Sequence, residues 1–160
     1  MPSNNCALPG WKAIPMLSRD FKEFVASLNA NGVEYLVVGG YAMAMHGRPR
    51  HTGDLDVWID HRAENAGRLI QALRDFGFGE VGLAVADFTT PNQVVQLGYP
   101  PFRIDLLTSI DGVDFQQAWV RREQLVHDGL PINFIGLDDL KANKRASGRP
   151  RDIDDLENLP

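Results

Sequence analysis

The chain has 160 residues, 44% of them hydrophobic and 23% charged, an ordinary makeup for one soluble globular domain. Its net charge of −5 argues against a protein that wraps duplex DNA, and its single cysteine, Cys6, excludes an internal disulfide and fits a reducing compartment. No apolar run approaches the roughly 18 residues needed to span a bilayer, and the first residues lack the basic flank and apolar stretch of a signal peptide, so a cytoplasmic domain is expected, with no membrane contact and no sequence-specific duplex DNA binding.

Residues 1–16 carry three prolines and read as an irregular arm, leaving 17–160 as the domain. Ser18 is placed to cap a helix running to about Ala30, with Phe21, Phe24, Val25 and Leu28 on one face and Gly32 past its end. Glu34–Val38 is an apolar run ending at Gly39-Gly40 and predicts a buried strand. Tyr41–His46, rich in Ala and Met, predicts a helix, and a polar loop follows to Gly53. Leu55–Asp60 predicts a second strand and Ala63–Phe76 an amphipathic helix. Phe78–Ala86 reads as a weak, glycine-broken strand. Val94–Gly98 and Phe102–Thr108 are further strands, split by Tyr99-Pro100-Pro101. A short helix is expected over Asp114–Arg122. Leu125–Val126 and Ile132–Ile135 flank His127-Asp128-Gly129, a hairpin signal. Leu137–Ser147 is helical until Gly148 and Pro150, and a last short helix covers Asp152–Asn158. The alternation predicts a single α/β (α+β) domain: a mixed sheet of about five strands with helices packed against it.

The segment from Val37 to Asp60 carries the chemistry. A strand ends in Gly39-Gly40 and opens a helix, where glycines let a ligand approach the backbone and free N–H groups suit phosphates. Thirteen residues later come Asp54-Leu55-Asp56. The side-chain period of two puts Asp54 and Asp56 on one face, with Leu55 and Val57 toward the core. Two carboxylates on one face repel unless a cation lies between them, and hard oxygen ligands suit Mg²⁺, with Mn²⁺ as the alternative. The loop should return the second strand antiparallel to the first, bringing glycines and carboxylates to one edge. In the run Phe102-Arg103-Ile104-Asp105-Leu106-Leu107, Phe102, Ile104 and Leu106 are expected in the core and Asp105 on the opposite face. An unpaired carboxylate in an apolar strand is costly and needs a cation or a site. Three aspartates around Mg²⁺ match what phosphoryl-type transfer requires, two clamping a triphosphate and one helping to activate a hydroxyl.

Gly39-Gly40, Asp54-Leu55-Asp56 and Asp105, in this order, resemble the nucleotidyltransferase superfamily that includes DNA polymerase beta. The stretch Arg50-His51-Thr52-Gly53-Asp54-Leu55-Asp56 is similar to the minimal nucleotidyltransferases of abortive-infection and toxin–antitoxin systems. So is the closing stretch Lys144-Arg145-Ala146-Ser147-Gly148-Arg149-Pro150-Arg151-Asp152 with Asp155-Leu156. The resemblance spans roughly residues 33–158. It implies Mg²⁺-dependent transfer of a nucleoside monophosphate from an NTP to a hydroxyl, the acceptor being RNA, protein or a small molecule. It implies Asp54, Asp56 and Asp105 as catalytic and metal-binding residues. It also implies Gly39, Gly40, Arg50, Thr52 and Lys144 as nucleotide-binding residues. Larger members carry an added helical domain that the sequence to Pro160 lacks, which raises the expectation of a small helical partner protein. The alternative is a non-catalytic module of the same fold acting as one half of a toxin–antitoxin or defence pair.

Independently of resemblance, residues 141–151 hold Lys141, Lys144, Arg145, Arg149 and Arg151 and no acidic residue. Such a stretch is either a solvated helix face or a counter-charge for leaving phosphates. Tyr41, Met43 and Met45 read as packing, and His46 and His51 have no evident chemical task. Gly77–Gly82 matches a dinucleotide fingerprint but follows a helix, the wrong context. Gly-Arg-Pro at 47–49 and 148–150 resembles a minor-groove hook but lies in apolar-patterned segments.

Overall fold

The computed structural model describes residues 17–48, 53–79 and 82–160. The irregular arm expected over 1–16 lies outside the described residues. Helix α1 (Arg19–Ala30) starts where Phe21 N donates to Ser18 Oγ at 3.1 Å. Its Phe21, Phe24, Val25 and Leu28 are all buried, as the spacing predicts. Strand β1 (Tyr35–Val38) is buried at every position, so both faces of the sheet are covered at its centre. Helix α2 (Gly39–Met45) begins at the glycine pair itself, two residues before the predicted start.

Strand β2 (Leu55–Ile59) leads to helix α3 (Ala63–Phe76), which ends where Gly77 takes a left-handed conformation. Phe24 of α1 meets Phe76 of α3 edge-on at 5.2 Å, and Ser27 Oγ donates to Ala72 O at 2.8 Å. Strands β3 (Val94–Leu97) and β4 (Ile104–Leu107) follow, then helix α4 (Phe115–Val120), capped by Asp114. Strands β5 (Glu123–His127) and β6 (Leu130–Phe134) form the expected hairpin. Asp128 and Gly129 both have positive φ, 52° and 79°, as a two-residue turn matched to strand twist requires. Helices α5 (Leu137–Ser147) and α6 (Pro150–Glu157) close the chain.

The sheet is mixed and has six strands in the order β3-β4-β2-β1-β6-β5, close to the five expected. β1 and β2 pair antiparallel, with Val38 opposite Asp56. β2 and β4 are parallel, with Asp56 opposite Asp105. β3 and β4 are antiparallel, with Gln96 opposite Asp105. Directly paired residues share a face, so Val38, Asp56, Asp105 and Gln96 form one row across the sheet. On this face Phe115 packs edge-on against buried Trp58 at 4.9 Å. On the other face Leu17 and Val25 meet Val37, Leu55 and Phe134 around a residual gap of only about 10 Å³. Each large side chain buried in this way stabilises the fold by about 1.5–3 kcal/mol.

Two expectations are corrected. The weak strand over Phe78–Ala86 is not formed among its described residues. Gly77 and Gly82, with φ of 107° and 78°, break the extended run, and the 3-10 turn Val85–Phe88 buries Phe88 instead. Phe102 is not a core residue and is 49% exposed. It precedes the point where β2 pairs with β4, at Leu55–Ile104, so no neighbouring strand covers it. Among the described residues no helix is long and apolar enough to cross a membrane.

Candidate active site

The end of β1, the start of β2 and the middle of β4 converge because the loop after α2 reverses the chain. Val38 therefore sits beside Asp56, and the glycines and carboxylates share one edge as expected. Gly39 has φ of 67°, and a Cβ there would lie 2.9 Å from Asp56 Cγ. Only glycine lets the backbone come this close to the carboxylate. The Leu55 amide donates to the Arg103 carbonyl at 3.0 Å, extending the β2–β4 ladder so that Asp54 and Arg103 lie side by side.

The three aspartates do meet, but not symmetrically. Asp56 and Asp105 face each other across β2 and β4. The Asp56 carboxyl is pushed up to about 7, first by burial and then by the charges of Asp105 and Asp54, with Arg103 opposing. A hydrogen bond to Asp105 adds to the rise, since only protonated Asp56 can donate it. Asp54 is held by Arg103, whose Nη2 donates to Asp54 Oδ2 at 2.8 Å and to Asp105 Oδ2 at 3.2 Å. Arg103 Nε also approaches Asp105 Oδ1 at 3.1 Å, but the alignment is poor, and both of these buried atoms lack a hydrogen bond. Arg103 is the member of the site that the sequence reading missed. Its signal was there: it stands two residues before Asp105 and so shares its face.

The donor chemistry suits a hard divalent cation. Three carboxylates share one edge, Asp56 keeps a raised affinity for a proton, and Asp105 Oδ1 is buried without a hydrogen bond. Asp56 and Asp105 are the pair best placed to hold one, and Asp54 would have to turn toward them to serve as a third ligand. Among the described residues no three acidic, His or Cys side chains stand ready as a ligand set, and Asp54 accepts a hydrogen bond from Arg103.

Opposite the carboxylates lies the closing segment. A cleft of about 280 Å³ is lined by Val38, Gly39 and Asp56 on the sheet side and by Asn143, Lys144, Ser147 and Arg149 on the helix side. An adjoining hollow of about 230 Å³ adds Gly40, Asp54, Arg151 and Asp152. Lys144 is buried, and its Nζ lies 2.9 Å from Asp155 Oδ2 and 3.3 Å from Asp152 Oδ1. Asp152 also accepts from Ser147 Oγ at 2.7 Å and Arg149 Nε at 2.7 Å. Burial alone would raise the Asp152 carboxyl, but hydrogen bonds from Arg149 and Ser147 and the Lys144 charge outweigh it and hold it well below the usual carboxylate range. The run of cations read from 141–151 is thus partly neutralised by acids of α6 that folding brings back.

The remaining candidates separate cleanly. Arg50 and Thr52 lie outside the described residues, as does His51. Tyr41 and Met43 are buried in the core, as expected of packing residues. Burial raises the Tyr41 phenol, and the Asp54 charge adds to this. His46 is buried, with Nε2 2.7 Å from the Ile135 carbonyl and Nδ1 3.7 Å from Glu123, a structural arrangement.

A family model described as "Nucleotidyltransferase of unknown function (DUF6036)" matches residues 15–159. Among solved structures, a candidate nucleotidyltransferase from Thermotoga maritima is 17% identical with a TM-score of 0.59, covering 87% of this chain and 89% of that one. That likeness bears on the fold alone. An antigenic nucleotidyltransferase-like protein from Paracoccidioides brasiliensis is 21% identical with a TM-score of 0.48, over 88% of this chain and 76% of that one, too distant to carry weight. No curated protein sequence matches the chain.

Proposed function

The chain belongs to the DUF6036 family of nucleotidyltransferases, and from that premise we propose that it moves a nucleoside monophosphate from a Mg²⁺-bound NTP to a hydroxyl of an acceptor. One observation carries the reading: Asp56 and Asp105 oppose each other beneath a glycine that excludes any side chain, at the mouth of a cleft walled by Lys144 and Arg149. A pure binding module has no need to hold three mutually repelling carboxylates together.

In this reading Gly39 and Gly40 admit the triphosphate close to the backbone. Arg149, Arg151 and Lys144 face its β- and γ-phosphates and offset the charge that develops on pyrophosphate. Asp56, Asp105 and Asp54 would hold the divalent cation, which supplies charge neutralisation at the phosphate oxygens and acidifies the attacking hydroxyl. Asp105 accepts the hydroxyl proton. The acceptor oxygen bonds to the α-phosphorus as the bond from that phosphorus to the bridging oxygen breaks, and pyrophosphate leaves.

The test is NTP binding by calorimetry with and without Mg²⁺. The site and the triphosphate are both anionic, so binding is expected only with the cation. Equal affinity in both conditions overturns the reading.

A further inference from the structure

Arg103 stands where none of the roles assigned above requires it. We infer that the Arg103 guanidinium is an internal counter-cation that occupies the acidic cluster in the cation-free protein, and that a divalent ion must displace it from Asp54 and Asp105 to bind. The inference rests on reading the three aspartates as cation ligands.

The geometry supports displacement rather than permanent support. One guanidinium nitrogen, Nη2, is shared between Asp54 Oδ2 and Asp105 Oδ2, at 2.8 and 3.2 Å. A well-made arginine–carboxylate pair uses two parallel donors on one carboxylate. Here the second donor, Nε, approaches Asp105 Oδ1 at 3.1 Å without a hydrogen bond, and both buried atoms are left unsatisfied. Asp105 is only 8% exposed, so this incomplete bonding is not made good by bulk water at the surface. The guanidinium thus neutralises charge in the cluster while leaving an oxygen that a cation can take.

Two further facts fit an exchangeable arginine. Arg103 pairs with both Asp54 and Asp105, and Asp105 stands directly opposite Asp56 across β2 and β4, so its charge sits within the cluster. Arg103 also lines a separate hollow of about 560 Å³ with Phe78, Leu83, Gln96 and Tyr99, none of which lines the phosphate cleft, and this hollow gives the displaced guanidinium room. Arg103 is therefore a positioning residue: it sets how tightly the carboxylates bind a divalent ion and offsets part of their mutual repulsion before it arrives.

The experiment is Mn²⁺ titration by calorimetry on the wild-type chain, Arg103→Gln and Arg103→Lys, with melting temperatures recorded with and without the ion. Removing a unit charge from beside the cluster should tighten Mn²⁺ binding by about tenfold or more in Arg103→Gln. The same variant should melt lower without the ion and recover a larger share of its loss on adding it. Arg103→Lys keeps the charge and should stay near wild type in Mn²⁺ affinity. A wild type that binds no Mn²⁺ beside an Arg103→Gln variant that does supports the inference in its strongest form. Wild-type binding with equal or weaker binding in Arg103→Gln overturns it and leaves the cation site intact, the mark of an arginine that merely supports the ligands. Absence of binding in every form overturns the cation site and the inference together.

Discussion

Asp56 and Asp152 line the same hollow, and burial pushes both carboxyls up, yet they end on opposite sides of the ordinary range. Asp152 is 1% exposed and receives Ser147, Arg149 and Lys144, so its carboxyl is held well below the ordinary range. Asp56 is less buried, yet its carboxyl is pushed up to about 7, because burial is joined by two neighbouring carboxylates and only Arg103 opposes them. Depth therefore does not decide the state of these acids; the company does. A buried aspartate with its full set of donors is a joint. One with more anions than cations around it is a site whose missing charge must come from outside.

The largest expected effect separates the two by stability. Asp152→Asn leaves buried Lys144 with Asp155 alone as its ion-pair partner, removes the carboxylate that Arg149 bonds, and should lower stability by about 3 kcal/mol. For a chain of this size that is a drop of about 6–12 °C in melting temperature. A variant melting like wild type would end the reading of Asp152 as a joint. Asp105→Asn should do the reverse to function: transfer, or Mg²⁺-dependent NTP binding, should fall about 100-fold or more, while the cation-free protein melts at least as high as wild type once its repulsion is relieved. A destabilised but active Asp105→Asn would remove it from the site.

Gly39→Ala comes next, at about 1–2 kcal/mol from the left-handed backbone alone. The new methyl must also displace Asp56, so NTP binding should suffer more than the melting temperature shows.

The smallest effect sharpens the comparison through pH, and circular-dichroism melts of the cation-free protein read it. Asp152 has a depressed folded value. Its contribution is present above the unfolded value of about 3.9 and is lost as pH falls below that toward the folded one. Asp56 has a raised folded value. Its contribution is present below the unfolded value and is lost as pH rises through about 7. Stability should fall at both ends, with Asp152→Asn flattening the acid limb and Asp56→Asn the neutral one. Mg²⁺ should restore the neutral limb in wild type but not in Asp56→Asn.

Much of the fold was legible because it follows from local periodicity. The four inward residues of α1, the Ser18 cap, the Asp128-Gly129 turn and the shared face of Asp54 and Asp56 depend on residues a few positions apart. The Gly39-Gly40 and Asp-x-Asp spacing indicated one edge of the sheet, and the pairing of Val38 with Asp56 agrees. Phe102 was misplaced for the same local reason: alternation says which way a residue points, not whether a strand lies beside it to be covered.

What the linear order determined by itself was therefore which residues share a face and where elements begin and stop. Those properties are set by backbone geometry over one or two turns. What only the tertiary structure decided was which charges meet. Strand order β3-β4-β2-β1-β6-β5 laid Asp105 against Asp56 and brought Arg103 to Asp54. The left-handed turn at Gly148 folded α6 back on α5, so that Lys144 met Asp152 and Asp155. Coulomb and desolvation energies depend on distance and burial in space. A sequence lists the charges, and only the packed chain assigns them to each other.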